Sequence, residues 1–289
     1  MTSVHYPFID PVLIHIGSLD LGWFRTPPLE VRWYGVMYLA AFALAYVIIR
    51  SELRRKKGPI PPEAAEDFLF HLILGVLIGG RLGYVLFYNL DVYLHAPWEI
   101  FAVWSGGMSF HGGLIGMVVF GFLFARRHHA SFLELADIGA LAAPPGLMLG
   151  RIGNFINGEL FGRVTTVPWG IVFPLGGPLP RHPSQLYESL FEGLLLFLIL
   201  WSLRRRLPIH GQLLGVFLIG YGIFRFLIEM VREPDPQLGF VFYGLTMGQI
   251  LCLCMVVGGI ALLLFLSSRG AGTTDPPGTK NETNSLSAG

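Results

Sequence analysis

WYGVMYLAAFALAYVIIRSELRRKK, residues 33–57, is an uncharged apolar run that ends in Arg50, Arg54, Arg55, Lys56 and Lys57. A helix needs about 20 mainly apolar residues to cross the hydrocarbon of a bilayer. Lys and Arg collect at the cytoplasmic ends of such helices. This one stretch therefore sets both class and direction: a membrane span that starts outside and finishes inside.

Working outward, six further runs have the length and apolarity of a span, or nearly so, near residues 68–88, 107–125, 132–150, 184–203, 212–231 and 243–266. The composition agrees, because the 289 residues are 53% hydrophobic and only 13% charged, against about 25% charged in soluble domains. The expected fold is an all-α polytopic membrane protein with seven transmembrane helices. The 37 glycines suit it, since small residues let membrane helices approach closely. A net charge of +1 gives no electrostatic reason to expect a nucleic-acid partner. Cys252 and Cys254, two apart in the last run, point away from each other on a helix and read as packing residues, not a disulfide.

Charge then orders the connections. Arg126 and Arg127 follow the third run, Arg204, Arg205 and Arg206 the fifth, and Arg269 and Lys280 the seventh. With the first cluster this places twelve of the 20 basic residues on one side, so the N-terminus lies outside and the C-terminus inside. The other basic residues are all arginine: Arg25, Arg32, Arg81, Arg151, Arg163, Arg181, Arg225 and Arg232. They fall in the outer half or in the membrane, where positive charge is disfavoured, so something specific must compensate them.

Residues 1–32 form an outer arm without a basic n-region or an unbroken apolar h-region, so no cleavable signal peptide is expected. Within the arm Val12, Ile14 and Ile16 alternate with Leu13, His15 and Gly17, which suggests a short extended or interfacial segment. Residues 33–266 hold the spans. The longest outer connection, residues 158–183 between spans four and five, is rich in Gly and Pro and is expected to fold as a small lid or platform. Residues 267–289 are expected to be a disordered tail.

The chemistry-bearing residues concentrate on three runs. The fourth ends in Arg151, Asn154, Asn157, Glu159 and Arg163 interleaved with glycine. A permanent charge and two amides at a membrane helix end are costly to bury, so the default reading is a working site. Gln185, Glu188 and Glu192 make a helically spaced polar stripe on the fifth run, and Tyr221, Arg225, Glu229 and Arg232 make another on the sixth. Arg225 and Glu229 alone read equally well as a self-neutralised pair that only joins helices, but three polar stripes together imply one shared wet cavity. His111 lies in Gly106-Gly107-Met108-Ser109-Phe110-His111-Gly112-Gly113, whose glycines leave its ring open to a ligand. His71 has no polar companions and reads as structural. The Gly-Arg-x-Gly echo at Arg81 and Arg151 is read as coincidence in so glycine-rich a chain.

No phosphate loop, zinc-type spacing, dinucleotide fingerprint or serine elbow is present, and neither metal nor cofactor is expected. Three classes stay open on these residues. A lipid or anion transporter would also place Arg and Glu in a cavity, but it usually carries paired repeats. An intramembrane protease would need a Ser-His, paired-Asp or metal constellation, and Asp137 is the one aspartate inside a span. A receptor or structural protein would not need three converging polar stripes.

Taken together, the Gly150 to Gly162 stretch, Arg32-Trp33-Tyr34-Gly35, Gly106 to Gly113, Arg181 to Glu188 and Gly220-Tyr221-Gly222-Ile223-Phe224-Arg225 resemble the motifs of the prolipoprotein diacylglyceryl transferase family, in order along the chain. The resemblance implies a bacterial inner-membrane enzyme with seven spans, its N-terminus and active site periplasmic and its C-terminus cytoplasmic. It implies transfer of the diacylglyceryl group of phosphatidylglycerol to the lipobox cysteine of a preprolipoprotein signal peptide, with release of glycerol phosphate. It also implies roles for Tyr34, His111, Arg151, Asn154, Gly162, Tyr221 and Arg225, and leaves the roles of Arg32 and Arg81 open. That chemistry needs a thiol-proton acceptor and fixed positive charge for the leaving anion. The expected assignment has Arg151 and Arg225 clamping phosphate, Asn154, Asn157 and Tyr221 bonding the headgroup, His111 taking the proton, and Glu159 and Glu229 orienting the two arginines.

Overall fold

A computed structural model describes residues 4–271 apart from 19, 24, 27, 234–239 and 243. Seven of its helices are long and apolar enough to cross a membrane: Trp33–Lys56, Pro62–Phe87, Phe110–Arg127, Phe132–Ile156, Ser184–Leu203, Gln212–Glu229 and Met247–Arg269. The chain is a mostly helical, multi-pass membrane protein. Two of the helices outrun their apolar stretches in a way that matters. The first carries Arg54, Arg55 and Lys56 in its last turn, because long basic side chains are good helix formers and favour the negative end of the helix dipole. The fourth continues to Ile156, so Arg151 and Asn154 sit on rigid helix rather than in a loop. The last helix extends to Ala271. The remainder of the expected disordered tail, 272–289, lies outside the described residues.

The apolar core lies toward the basic end of the bundle. Ile49, Phe68, Phe124, Leu135, Leu141, Leu196, Leu200 and Leu213 pack there into one buried cluster. At the same end, buried Glu52 accepts from Arg55 at 2.8 and 2.6 Å and from Arg204 at 3.2 Å. Asp137 accepts from the amides of Gly211 and Leu214, both at 2.8 Å, so this membrane aspartate caps the start of the sixth span. The second and third spans touch backbone to backbone, since a Cβ on Gly83 would stand 2.8 Å from the Gly112 Cα.

With the apolar core at one end, the buried polar residues Asn154, Gln185, Glu188, Glu192 and Glu229 occupy the other half. That opposite end is also where the connections are structured. Val12–Gly17 pairs antiparallel with Leu29–Arg32, so the alternating arm is an extended ribbon. Val4–His5 runs parallel to Ile171–Val172, which joins the arm to the connection between spans four and five. A third two-stranded ribbon joins Phe240–Phe242 to Leu245–Thr246. The Tyr6 hydroxyl stands 2.7 Å from the carbonyl oxygens of both Phe155 and Ile156, covering the last exposed carbonyls of the fourth span. Burial raises its pKa, which keeps the hydroxyl a donor.

Within the fifth span, Ser189–Leu195 is wound as a π-helix, a form that is rare and frequent at functional sites. Gly193 in that segment lets Met148 of the fourth span approach, since a Cβ there would lie 2.8 Å from the Met148 Cα.

Candidate active site

One carboxylate organises the outer half of the bundle. Glu188, on the first turns of the fifth span, is 0% exposed. It pairs with Arg151 Nε of the fourth span, with Arg225 at 3.1 Å and with Arg232 at 3.3 Å. Arg225 is also 2.9 Å from Glu229 on its own helix and 3.8 Å from Glu192. Three guanidiniums thus meet three carboxylates where spans four, five and six converge. Burying charge at this density is tolerable only because each ion faces a counter-ion.

Arg151 spends Nε on Glu188, and among the described residues its terminal nitrogens meet only a long 3.4 Å contact with Asn154. The outer edge of its fork therefore remains free for an oxyanion. Glu159 does not orient Arg151, contrary to the expectation from their closeness in sequence. Instead it accepts from the side-chain amides of Asn154 at 3.0 Å and Asn157 at 3.1 Å. The chain turns sharply after Ile156, with Gly158 in a left-handed conformation, and this folds Glu159 back over its own helix end instead of toward Glu188. Gln185 then donates to the Glu159 carbonyl at 2.5 Å, tying this turn to the fifth span. Tyr34, at the start of the first span, packs its ring on Gly153 and places its hydroxyl beside Asn154 and Glu159. Tyr221 stacks on Phe217 and lies near Glu192 and Arg225.

Gly162 has a steric role. Its amide donates to the His182 carbonyl at 2.8 Å, and the Gly162 carbonyl accepts from the Arg181 guanidinium at 3.2 Å. A Cβ there would strike the Val231 carbonyl and lie 2.9 Å from the His182 Cβ, so glycine alone fits. Arg163 donates to the Arg232 carbonyl at 2.7 Å. The 158–183 connection is by these bonds a platform stitched to the end of the sixth span. Burial lowers the pKa of His182, favouring the neutral ring beside Tyr187.

The remaining arginines are compensated differently. Arg81, 5% exposed, donates to the carbonyls of Glu99 at 2.6, Ile100 at 2.9, Ala102 at 3.1, Gly106 at 2.5 and Gly107 at 3.1 Å. It organises the loop before the third span, whereas Arg151 meets a carboxylate, so the Gly-Arg-x-Gly echo hides two unrelated environments. Arg32 makes an exposed pair with Glu30 at 3.0 Å. His71 stands 2.7 Å from the Asp67 carbonyl of its own helix, a local contact. His111, in the first turn of the third span, is exposed and packs edge-on against Phe110. No hydrogen bond or ion pair joins it to the arginine cluster among the described residues.

Comparison with known proteins bears directly on this arrangement. The model of the family described as prolipoprotein diacylglyceryl transferase matches residues 22–265. The chain is 50% identical to the phosphatidylglycerol–prolipoprotein diacylglyceryl transferase of Geobacter sulfurreducens, over 93% of this chain and all of that protein. Proteins of the same name from Pseudomonas aeruginosa and Coxiella burnetii are also 50% identical, over 92% and 90% of this chain and 97% and 96% of theirs. The chain belongs to the prolipoprotein diacylglyceryl transferase family.

In this family member, the motif residues Tyr34, Arg151, Asn154, Tyr221 and Arg225 converge from spans one, four and six, while among the described residues no hydrogen bond or ion pair ties His111 to them. Sequence reasoning placed Glu188 and Arg232 on polar stripes but did not make them site residues, although Glu188 is the hub. The available signal was a carboxylate one helical turn from both Gln185 and Glu192 on a helix that must be lipid-facing elsewhere. Nothing local in the sequence marks the π-segment.

Proposed function

We propose that this chain transfers the diacylglyceryl group of phosphatidylglycerol to the lipobox cysteine thiol of preprolipoproteins, the first step of bacterial lipoprotein maturation. The observation that carries the reading is the fork of Arg151, held from behind by fully buried Glu188 and flanked by Asn154 and Asn157, in a chain whose relatives bear this activity in their names. The inner membrane is the proposed location. The N-terminus and site face the periplasm and the C-terminus the cytoplasm, a reading that the distribution of basic residues supports.

In the reaction, the thiol sulfur attacks the glycerol carbon that bears the phosphate ester. The S–C bond forms, the C–O bond breaks, and the electron pair leaves with glycerol phosphate. Arg151 and Arg225 hold the phosphodiester and stabilise the charge that develops on it. Asn154 and Asn157, aligned by Glu159, hydrogen bond the headgroup, with Tyr34 and Tyr221 flanking it. Glu229 and Glu188 orient Arg225. His111 accepts the thiol proton, a role that an imidazole can fill, and its exposed ring is open to a peptide arriving from outside the bundle. Gly162 keeps the platform closed onto the sixth span.

The test is a purified preparation in phosphatidylglycerol vesicles supplied with a lipobox peptide. Glycerol phosphate should appear in proportion to lipidated peptide, and a Cys→Ser peptide should release none. Release that ignores the peptide, or lipid movement without release, would sink the transferase reading and favour a hydrolase or a transporter.

A further inference from the structure

About two turns inside the fifth span sits a carboxylate that has a distant counter-ion but no hydrogen bond among the described residues. Glu192 is 1% exposed, and neither of its oxygens accepts a hydrogen bond among the described residues. Its cation neighbour is Arg225 at 3.8 Å, which already lies 3.1 Å from Glu188 and 2.9 Å from Glu229. On the same helix face, Gln185 is 0% exposed, and its side-chain carbonyl oxygen is likewise without a donor. Between them Glu188 absorbs three guanidiniums. The site therefore offers a row of buried acceptors in which Gln185 and Glu188 each have one oxygen without a hydrogen bond and Glu192 has none at either oxygen. Buried acceptors of this kind are costly unless a donor reaches them, and here they lie in the π-wound segment or just before it.

Resting on the function proposed above, the substrate has one part that can serve them. The phosphate and ester oxygens of phosphatidylglycerol only accept hydrogen bonds, and the arginines are suited to those. The terminal glycerol carries two hydroxyl donors. We propose that Glu192 receives a hydroxyl of that terminal glycerol and is the residue that selects a diol headgroup. A cationic headgroup also carries donors, but the surrounding Arg151, Arg225 and Arg232 repel it, whereas neutral hydroxyls meet no such penalty. A site built to hydrogen bond a hydroxyl rejects the analogue that lacks it, because its own buried acceptor is then left bare.

The experiment compares phosphatidylglycerol with phosphatidylpropanol, which keeps the phosphodiester and chain length but has no hydroxyls. Each lipid is titrated in mixed micelles against the full-length protein, read by competition with labelled phosphatidylglycerol transfer and by lipid-induced thermal stabilisation, which needs no turnover. The wild type should prefer the diol lipid by at least about tenfold, the scale of one hydrogen bond to a charged acceptor. Glu192→Gln keeps a weaker acceptor and should retain only a few-fold preference. Glu192→Met should have none, while affinity for phosphatidylpropanol stays within about threefold in all three proteins. Equal binding of the two lipids by the wild type overturns the assignment, as does a full preference surviving in Glu192→Met. Parallel loss of both lipids in the variants also overturns it, since Glu192 would then serve only the charge balance or the thiol. Failure of the transferase reading is separately visible, as wild-type protein that releases no glycerol phosphate with peptide present.

Discussion

Removing the charge of Glu188 is the sharpest probe of the site's architecture. Glu188→Gln preserves volume and hydrogen-bonding shape but leaves three guanidiniums facing a neutral amide. Arg225 would keep Glu229 at 2.9 Å. Among the described residues, Arg151 would keep only its long Asn154 contact at 3.4 Å, and Arg232 would lose the one carboxylate it pairs with. Breaking a buried ion pair by deleting one partner costs about 3–5 kcal/mol. Because Glu188 is wholly buried and serves three cations, the cost should reach at least the lower end of that range. Reversible unfolding in mixed micelles, followed by helical signal against denaturant, measures it. A double-mutant cycle with Arg232→Gln should return a coupling of more than about 1 kcal/mol, since the second change removes an orphaned cation. Transfer should fall with it, because Arg151 loses its rear support. A Glu188→Gln protein within about 1 kcal/mol of wild type, with near-normal transfer and no coupling to Arg232, would refute the hub.

Arg151→Lys and Arg225→Lys keep charge but lose the fork, and each should lower kcat/KM for phosphatidylglycerol by about 10–100-fold, one charged hydrogen bond's worth, while the protein still inserts; near-normal transfer in either would remove the clamp. His111→Asn should abolish transfer yet leave unfolding unchanged, since the ring is exposed; substantial residual activity would move proton removal to another group or to water. Gly162→Ala should displace the platform from Val231 and His182, costing about 1–3 kcal/mol from overpacking together with activity, and unaltered stability would contradict the close approach. Arg81→Met should open the loop at residues 99–107, raising amide exchange there but not in spans four to six, because the carbonyls it holds lie only in that loop; unchanged exchange would deny it that role.

Much of this molecule is written locally in the chain. Membrane class, the number of spans and the side carrying the basic residues follow from apolar run length and from where Arg and Lys fall, and these are properties of consecutive residues. The helical spacing of Gln185, Glu188 and Glu192, and of Tyr221, Arg225 and Glu229, likewise shows which residues share a face of their own helix. What spacing cannot state is which face meets which. Arg151 and Glu159 are near neighbours in sequence, yet the turn at Gly158 sends Glu159 to Asn154 and Asn157, and the partner of Arg151 is Glu188 on another span. Arg81 and Arg151 share a motif but not a partner: one finds loop carbonyls, the other a buried carboxylate. A buried charge takes its meaning from the counter-charge that packing delivers, and that delivery depends on helices far apart in the chain meeting at one depth, which only the tertiary structure decides.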